Sequence, residues 1–265
     1  MYKKRTIILS LIMALVLSIG AGESALALAV EDDDGLIEVG GIYNADYQCW
    51  LGIPWGDRPI TEDVTVGFVN YLDNYYPWQR NFIHHDIDEE GPFVDNDNDS
   101  ADGVDLFFFC GHGGEDYIPL VNDQNPLGNS NTVDYLEAQW GETDLEWVML
   151  FACNTLMGDN AASDNYQKSN GKFAQALDGV HMICGASTSM YGHTTAGTRI
   201  AEYLCSGESV ADAWFWGCSW TQPSGTNLRI IFEEECYFDD CIWGFGDTQA
   251  DLEPDGDYYS IDYPL

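Results

Sequence analysis

The sequence predicts an α/β fold, a three-layer sandwich with helices on both faces of a mostly parallel sheet. Two observations predict it. Short unbroken apolar runs, rich in β-branched and aromatic residues, recur at 104–110 (VDLFFFC), 147–151 (WVMLF), 180–184 (VHMIC) and 228–232 (LRIIF). Runs of this kind suit strands buried on both faces, the usual condition of a parallel sheet. Segments with helical spacing lie between them, and strands that alternate with helices build crossover units.

Residues 36–39 and 81–84 are two weaker strand candidates near the start. Val133, Leu136 and Trp140 fall at i, i+3 and i+7, with Gly141 placed to stop a helix. Phe173 and Leu177 lie four apart before Gly179, and Ala196, Ile200 and Leu204 repeat every four before Gly207. Ser209 and Asp212 form a capping pattern ahead of Ala213 and Trp214. Residues 86–105 read as an Asp-rich loop, and the acidic tail, 245–265, reads as a loosely structured finish.

Residues 1–29 read as a Sec-type signal peptide. Lys3, Lys4 and Arg5 form the basic start, residues 7–19 the apolar stretch, and Ala27-Leu28-Ala29 the cleavage pattern. The expected mature chain, 30–265, is a single α/β domain with an N-terminal extension over 30–102. No second hydrophobic span follows, so the expectation is a secreted or cell-surface protein.

The chain carries 45 Asp and Glu against 9 Lys and Arg, a formal charge of −36. That balance excludes phosphate-driven binding to nucleic acid and electrostatic docking on anionic lipid, which both need a basic footprint. At 45% hydrophobic and 14% aromatic residues, it also excludes disorder. Beyond the signal the basic residues are Arg58, Arg80, Lys168, Lys172, Arg199 and Arg229. They are too few to pair the carboxylates, which points to a salty habitat or to bound divalent cations.

The chemistry concentrates where two strands end. The 104–110 run leads straight into Gly111-His112-Gly113-Gly114, and the 147–151 run into Ala152-Cys153-Asn154-Thr155. In open α/β sheets, sites assemble beyond the carboxyl ends of the strands. If the strands are neighbours, an imidazole and a thiol meet there, as nucleophilic catalysis by cysteine requires. The backbone N–H groups of Gly113 and Cys153 are candidate oxyanion donors.

This order of motifs resembles the caspase-like (clan CD) cysteine peptidases, which include caspases, legumain, gingipains, clostripain, separase and the CHAT domains. It is nearest in motif to the CHAT-type domains, whose Ser-Ala-Cys-x-Thr block is matched here by Phe151-Ala152-Cys153-Asn154-Thr155. The similarity spans residues 105–216. It implies a caspase-like fold and peptide-bond hydrolysis of a protein or peptide substrate, with Cys153 as nucleophile and His112 as general base and acid. The chain departs from caspases in lacking a QACxG block and a basic cluster for an acidic P1 residue. Its acidity instead suits a Lys or Arg side chain, as in gingipain- and clostripain-like relatives. Residues 30–102 match nothing in those peptidases, and the whole-length architecture resembles secreted proteins of an uncharacterised family.

Other residues carry weaker signals. Asp95, Asp97, Asp99 and Asp102 space carboxylates as a Ca²⁺ loop does, without the Gly and Glu of an EF-hand. Ca²⁺ is thus a possible cofactor, and thiol catalysis itself requires none. A solvated turn explains the same loop. His84-His85-Asp86 offers metal ligands, but adjacent strand residues point to opposite faces. His181 and His193 read as structural. Cys110 and Cys184 read as core residues, and Cys236 and Cys241 as a candidate disulfide loop. Two rival readings therefore stand beside the peptidase. One is a catalytically silent caspase-like scaffold that binds a partner or Ca²⁺, and the other is a metal-dependent hydrolase using His84 or His85 with nearby Asp.

Overall fold

The computed structural model describes residues 35–46, 59–94, 97–115, 117–121, 132–133, 140–158, 167–169, 171–175, 177, 179–249 and 258–265. The chain divides into two units, Met1–Leu36 and Ile37–Leu265, and the fold belongs to the second. The expected signal peptide, Cys49 and Asp95 lie outside the described residues.

The class is α/β, and the sheet is mixed. Its strands are β1 (Glu38–Tyr43), β2 (Gln79–His85), β3 (Leu106–Cys110), β4 (Trp147–Phe151), β5 (Gln167–Lys168), β6 (Met182–Ala186), β7 (Asn227–Glu233) and β8 (Tyr258–Pro264). They form one eight-stranded sheet in the order β2-β1-β3-β4-β6-β7-β8-β5. Pairings from β2 to β6 are parallel, whereas β6–β7, β7–β8 and β8–β5 are antiparallel. This corrects the expectation of a mostly parallel sheet. An apolar run reports burial on both faces, and buried antiparallel strands satisfy it equally well.

The α-helices are α1 (Ile60–Asp73), α2 (Ala196–Leu204) and α3 (Val210–Ser219). They share one face of the sheet. On that face Phe108 of β3 stacks on Phe68 of α1 at 4.3 Å, and Phe151 of β4 meets Trp214 of α3 edge-on at 6.2 Å. The helices interlock through glycines. A Cβ on Gly197 would strike the Val64 backbone, and one on Gly217 would strike the Ile200 backbone. The Ser209 side chain caps α3 by accepting the Asp212 N–H at 3.2 Å, as the sequence pattern predicts.

The opposite face differs from expectation. Phe107 and Phe109 of β3 and Val148 and Leu150 of β4 pack there under Phe93, Trp140 and Phe173. These covering residues sit in irregular segments. The helix expected from Phe173 to Leu177 is a short 3₁₀ turn, Phe173–Gln175, and Leu177 instead bridges Trp140. The helix expected over 133–140 lies largely outside the described residues. Large rings fill this layer, so little regular backbone is needed to bury it.

Three elements escape the sequence reading. Helix α1 falls inside the presumed extension, the two-residue strand β5 has no sequence signal, and β8 falls inside the presumed loose tail, where it sits between β7 and β5. Tyr258, Ser260 and Ile261 of β8 are buried, whereas its last residue, Pro264, is exposed. Among the described residues, no helix is long and apolar enough to cross a membrane.

Phe108 joins the central strand to α1. Phe108→Ala is expected to cost about 3–5 kcal/mol, read as a lower urea midpoint with an unchanged slope.

Candidate active site

β3 and β4 are parallel neighbours in continuous register, from Leu106 opposite Trp147 to Cys110 opposite Phe151. His112 lies two residues past Cys110, and Cys153 two residues past Phe151. The register therefore delivers both to the same carboxyl edge of the sheet. They line one cleft together, with Ile60, Thr61, Cys110, Phe151 and Met190 among its walls. The cleft opens to solvent and has a cavity volume of about 30 Å³.

Gly113 must be glycine here. A Cβ at that position would run into the Cys153 carbonyl, the Thr155 methyl and the Ala152 Cβ. The His-Gly turn therefore lies flush against the Ala-Cys turn, which brings the Gly113 backbone next to the sulfur-bearing residue. Asn154 takes a positive φ of 56°, a conformation that Asn tolerates better than most residues. Its N–H donates to the Thr188 carbonyl at 2.9 Å.

The Cys153 sulfur is half-buried and engaged by the 187–192 segment. The Met190 N–H donates to Sγ at 3.3 Å, and the thiol donates to the Met190 carbonyl at 3.4 Å. Gln222 holds this segment in place, its Oε1 accepting the Tyr191 N–H and its Nε2 donating to the Tyr191 carbonyl, both at 2.8 Å.

Among the described residues, the other thiols are poor nucleophiles. Burial pushes Cys184 and Cys218 well above the usual thiol range, and it pushes Cys205 up to about 12. Cys236 and Cys241 are free thiols, also raised chiefly by burial, so the expected 236–241 disulfide is not formed.

Arg229 ties the turn after Cys153 to the sheet. Its guanidinium spans Asp262 (2.6 and 3.0 Å) and donates to the Leu156 carbonyl at 2.8 Å. Asn44, at the end of β1, does similar work on the other side of the cleft. It accepts the Ile87 N–H at 2.9 Å, and its carbonyl accepts the Thr61 hydroxyl at 3.2 Å. Sequence reasoning missed Met190, Ile60, Thr61, Asn44 and Arg229. Only Arg229 gave a signal, as a lone cation inside an apolar run.

No Asp or Glu lines the cleft among the described residues.

The Asp-rich loop is placed elsewhere. Asp102 directs its carboxylate at the 141–143 turn, where it accepts N–H groups from Gly141 and Thr143 and the Thr143 hydroxyl. Asp97 is buried, with its Oδ1 accepting the Asn98 N–H at 3.1 Å, while Asp99 is exposed. The loop thus fastens one segment to another, and among the described residues Asp97, Asp99 and Asp102 do not converge as a three-ligand group. His84 stacks on Phe82, and His85 stacks on Tyr43 and meets Asp86 at 3.4 Å. The two imidazoles take separate partners, as the strand period predicts.

A thiol and an imidazole at the carboxyl edge of a buried α/β sheet define the class of site. The family DUF6345, a domain of unknown function, matches residues 56–261. The chain belongs to that family, and the match takes in α1, His112, Cys153 and most of β8. No curated protein matches the chain.

Two predictions follow from these contacts. Arg229→Met leaves Asp262 without its cation and the Leu156 carbonyl without its donor, and is expected to cost about 3–5 kcal/mol in urea unfolding. Arg229→Lys should recover only part, because an ammonium does not reproduce the bidentate fork. The second concerns pH. Burial, followed by the neighbouring Asp102 charge, pushes the Asp97 carboxyl up to about 6. Between about pH 4 and 6 the folded chain then holds more protons than the unfolded one, so this contribution to stability is lost as pH rises. Asp97→Asn should raise Tm at pH 7.5 and change it little near pH 4. An equal change at both pH values would refute the assignment.

Proposed function

We propose that the protein is an exported, caspase-like cysteine endopeptidase. Cys153 attacks the peptide carbonyl as the thiolate, and His112 returns a proton to the leaving amine. The acyl-enzyme is then released by water. The Gly113 and Cys153 N–H groups are the proposed oxyanion donors. One observation carries the reading: the in-register parallel pair β3–β4 sends His112 and Cys153 into the same cleft. The close packing of Gly113 on Ala152 and Cys153 supports it.

The substrate is a protein or peptide presented as an extended segment. A basic P1 side chain draws support from the net charge of −36 alone. The neutral walls of the described cleft favour a small or apolar side chain equally. No cofactor is needed for this chemistry, and a Ca²⁺ effect would act through the 95–102 loop, remote in sequence from the thiol.

A second reading rests on a separate observation. The Cys153 thiol is bracketed by the Met190 N–H and carbonyl, which is how an inert cysteine is satisfied. On that reading the protein is a catalytically silent scaffold.

A fluorogenic panel with Arg, Lys, Ala, Leu and Asp at P1, run with reductant and with or without Ca²⁺, tests the first reading. Cys153→Ala and His112→Ala should each reduce cleavage by at least about 10³-fold while Tm stays close to the parent. Cleavage that survives Cys153→Ala would end the proposal. Iodoacetamide at neutral pH should modify Cys153 faster than any other described thiol, because the rest are buried or raised. Labelling of Cys153 no faster than of Cys205 would favour the scaffold.

A further inference from the structure

His181, Cys236 and Asp240 converge at the opposite edge of the sheet, and the proposed peptidase chemistry uses none of them. Each is completely buried. Their donor atoms, one from each residue, all lie within 4.8 Å of one another. His181 immediately precedes β6, and Cys236 and Asp240 follow β7 in the turn that includes the 3₁₀ segment Glu234–Cys236. The antiparallel β6–β7 pairing fixes their approach, with the Glu233 N–H donating to the His181 carbonyl at 3.0 Å.

The carboxylate is oriented as a ligand is. Asp240 Oδ2 lies 3.3 Å from His181 Nδ1 and accepts the Trp147 indole N–H at 2.6 Å. Its Oδ1 accepts the Gln249 N–H at 3.0 Å. Ligating carboxylates are held by outer hydrogen bonds of this kind. Trp147 also stands edge-on to the His181 ring at 5.7 Å and meets Trp243 at 6.1 Å, so the pocket is aromatic and dry.

Charge points the same way. Glu146 and Glu233 are also buried at this edge, their backbones bonded to the His181 backbone. Among the described residues, the Asp240 carboxylate takes its hydrogen bonds from Trp147, His181 and Gln249, and from no Lys or Arg. Arg229 is committed to Asp262, and Arg199 to Glu202. A buried carboxylate normally pairs with a cation or coordinates a metal. A sulfur, an imidazole nitrogen and a carboxylate oxygen suit a borderline-soft divalent ion, and tetrahedral zinc places its donors about 3.3–3.8 Å apart. A contraction of under about 1.5 Å, given that spacing, brings this trio into range.

We propose that His181, Cys236 and Asp240 form a structural zinc site that fastens the turn after β7 to the start of β6. A water or the carboxylate of Glu233, the residue across from His181, completes the coordination. Binding converts the Cys236 thiol to thiolate and releases its proton to solvent; no electron transfer is involved.

The test uses the full-length chain. After incubation with Zn²⁺ and exhaustive dialysis, about one zinc per chain is expected in wild type and in Cys153→Ala, and less than about a tenth of that in Cys236→Ser. The Co²⁺-loaded protein should show a thiolate-to-cobalt band in the near ultraviolet that Cys236→Ser lacks. Zinc retained by Cys236→Ser, zinc lost from Cys153→Ala, or no zinc retained by wild type would overturn the site and leave a hydrogen-bonded cluster. Should Cys236→Ser fail to fold, the cobalt spectrum of Cys153→Ala decides. Presence of the band supports the site, and its absence overturns it.

Discussion

The continuous parallel pairing of β3 with β4 is the constraint on which the rest of the molecule depends. Five residues on each strand are fully or almost fully buried. Alternate side chains feed both layers at once, with Phe108 and Phe151 towards the helices and Phe107, Phe109, Val148 and Leu150 towards the irregular face. A slip of one residue would exchange the two sets and empty both layers. The same register sets where each strand ends, and therefore where His112 and Cys153 emerge. Packing and chemistry are thus determined by one hydrogen-bonded ladder.

The cleft is built from elements distant in sequence. α1 supplies Ile60 and Thr61, the β1 end supplies Asn44, and the segment after β6 supplies Met190. Arg229 reaches from β7, through its pair with Asp262 on β8, to hold the Leu156 carbonyl. Disturbing any of these moves the wall without touching the thiol, so the site is stiffened by its periphery. The two ends of the sheet also differ in character. The carboxyl edge of β3 and β4 presents a half-buried sulfur beside open space, whereas the amino edge encloses a sulfur, an imidazole and carboxylates away from water.

Six of the eight strands were legible, to within a few residues, because continuous apolar runs such as LFFFC and WVMLF admit few other readings. The candidate site was legible for the same reason, since His112 and Cys153 each follow such a run directly. Strand direction was not legible. Met182–Ala186 and Asn227–Glu233 look alike as sequence whether they run together or opposed. α1 was missed although Ile60, Val64, Phe68 and Leu72 recur every four residues, because Thr61, Thr65, Val66 and Gly67 dilute its helical propensity. β8 was missed because Asp-rich sequence precedes it and Asp262 interrupts it. Asp262 is tolerated there because Arg229 receives it from the neighbouring strand. His181 read as structural because its partners lie 55 and 59 residues further along, a distance no local pattern spans.

The place of β8 between β7 and β5 bears on biogenesis. Until residues 258–264 have been synthesised, β7 has an open flank, with Leu228, Ile230, Ile231 and Phe232 still lacking their final cover and Arg229 lacking its counter-ion. The nascent chain therefore remains adhesive through nearly all of translation. A holdase is the natural guard for such an intermediate, and stop codons introduced upstream of Tyr258 should yield aggregates instead of shortened, folded proteins.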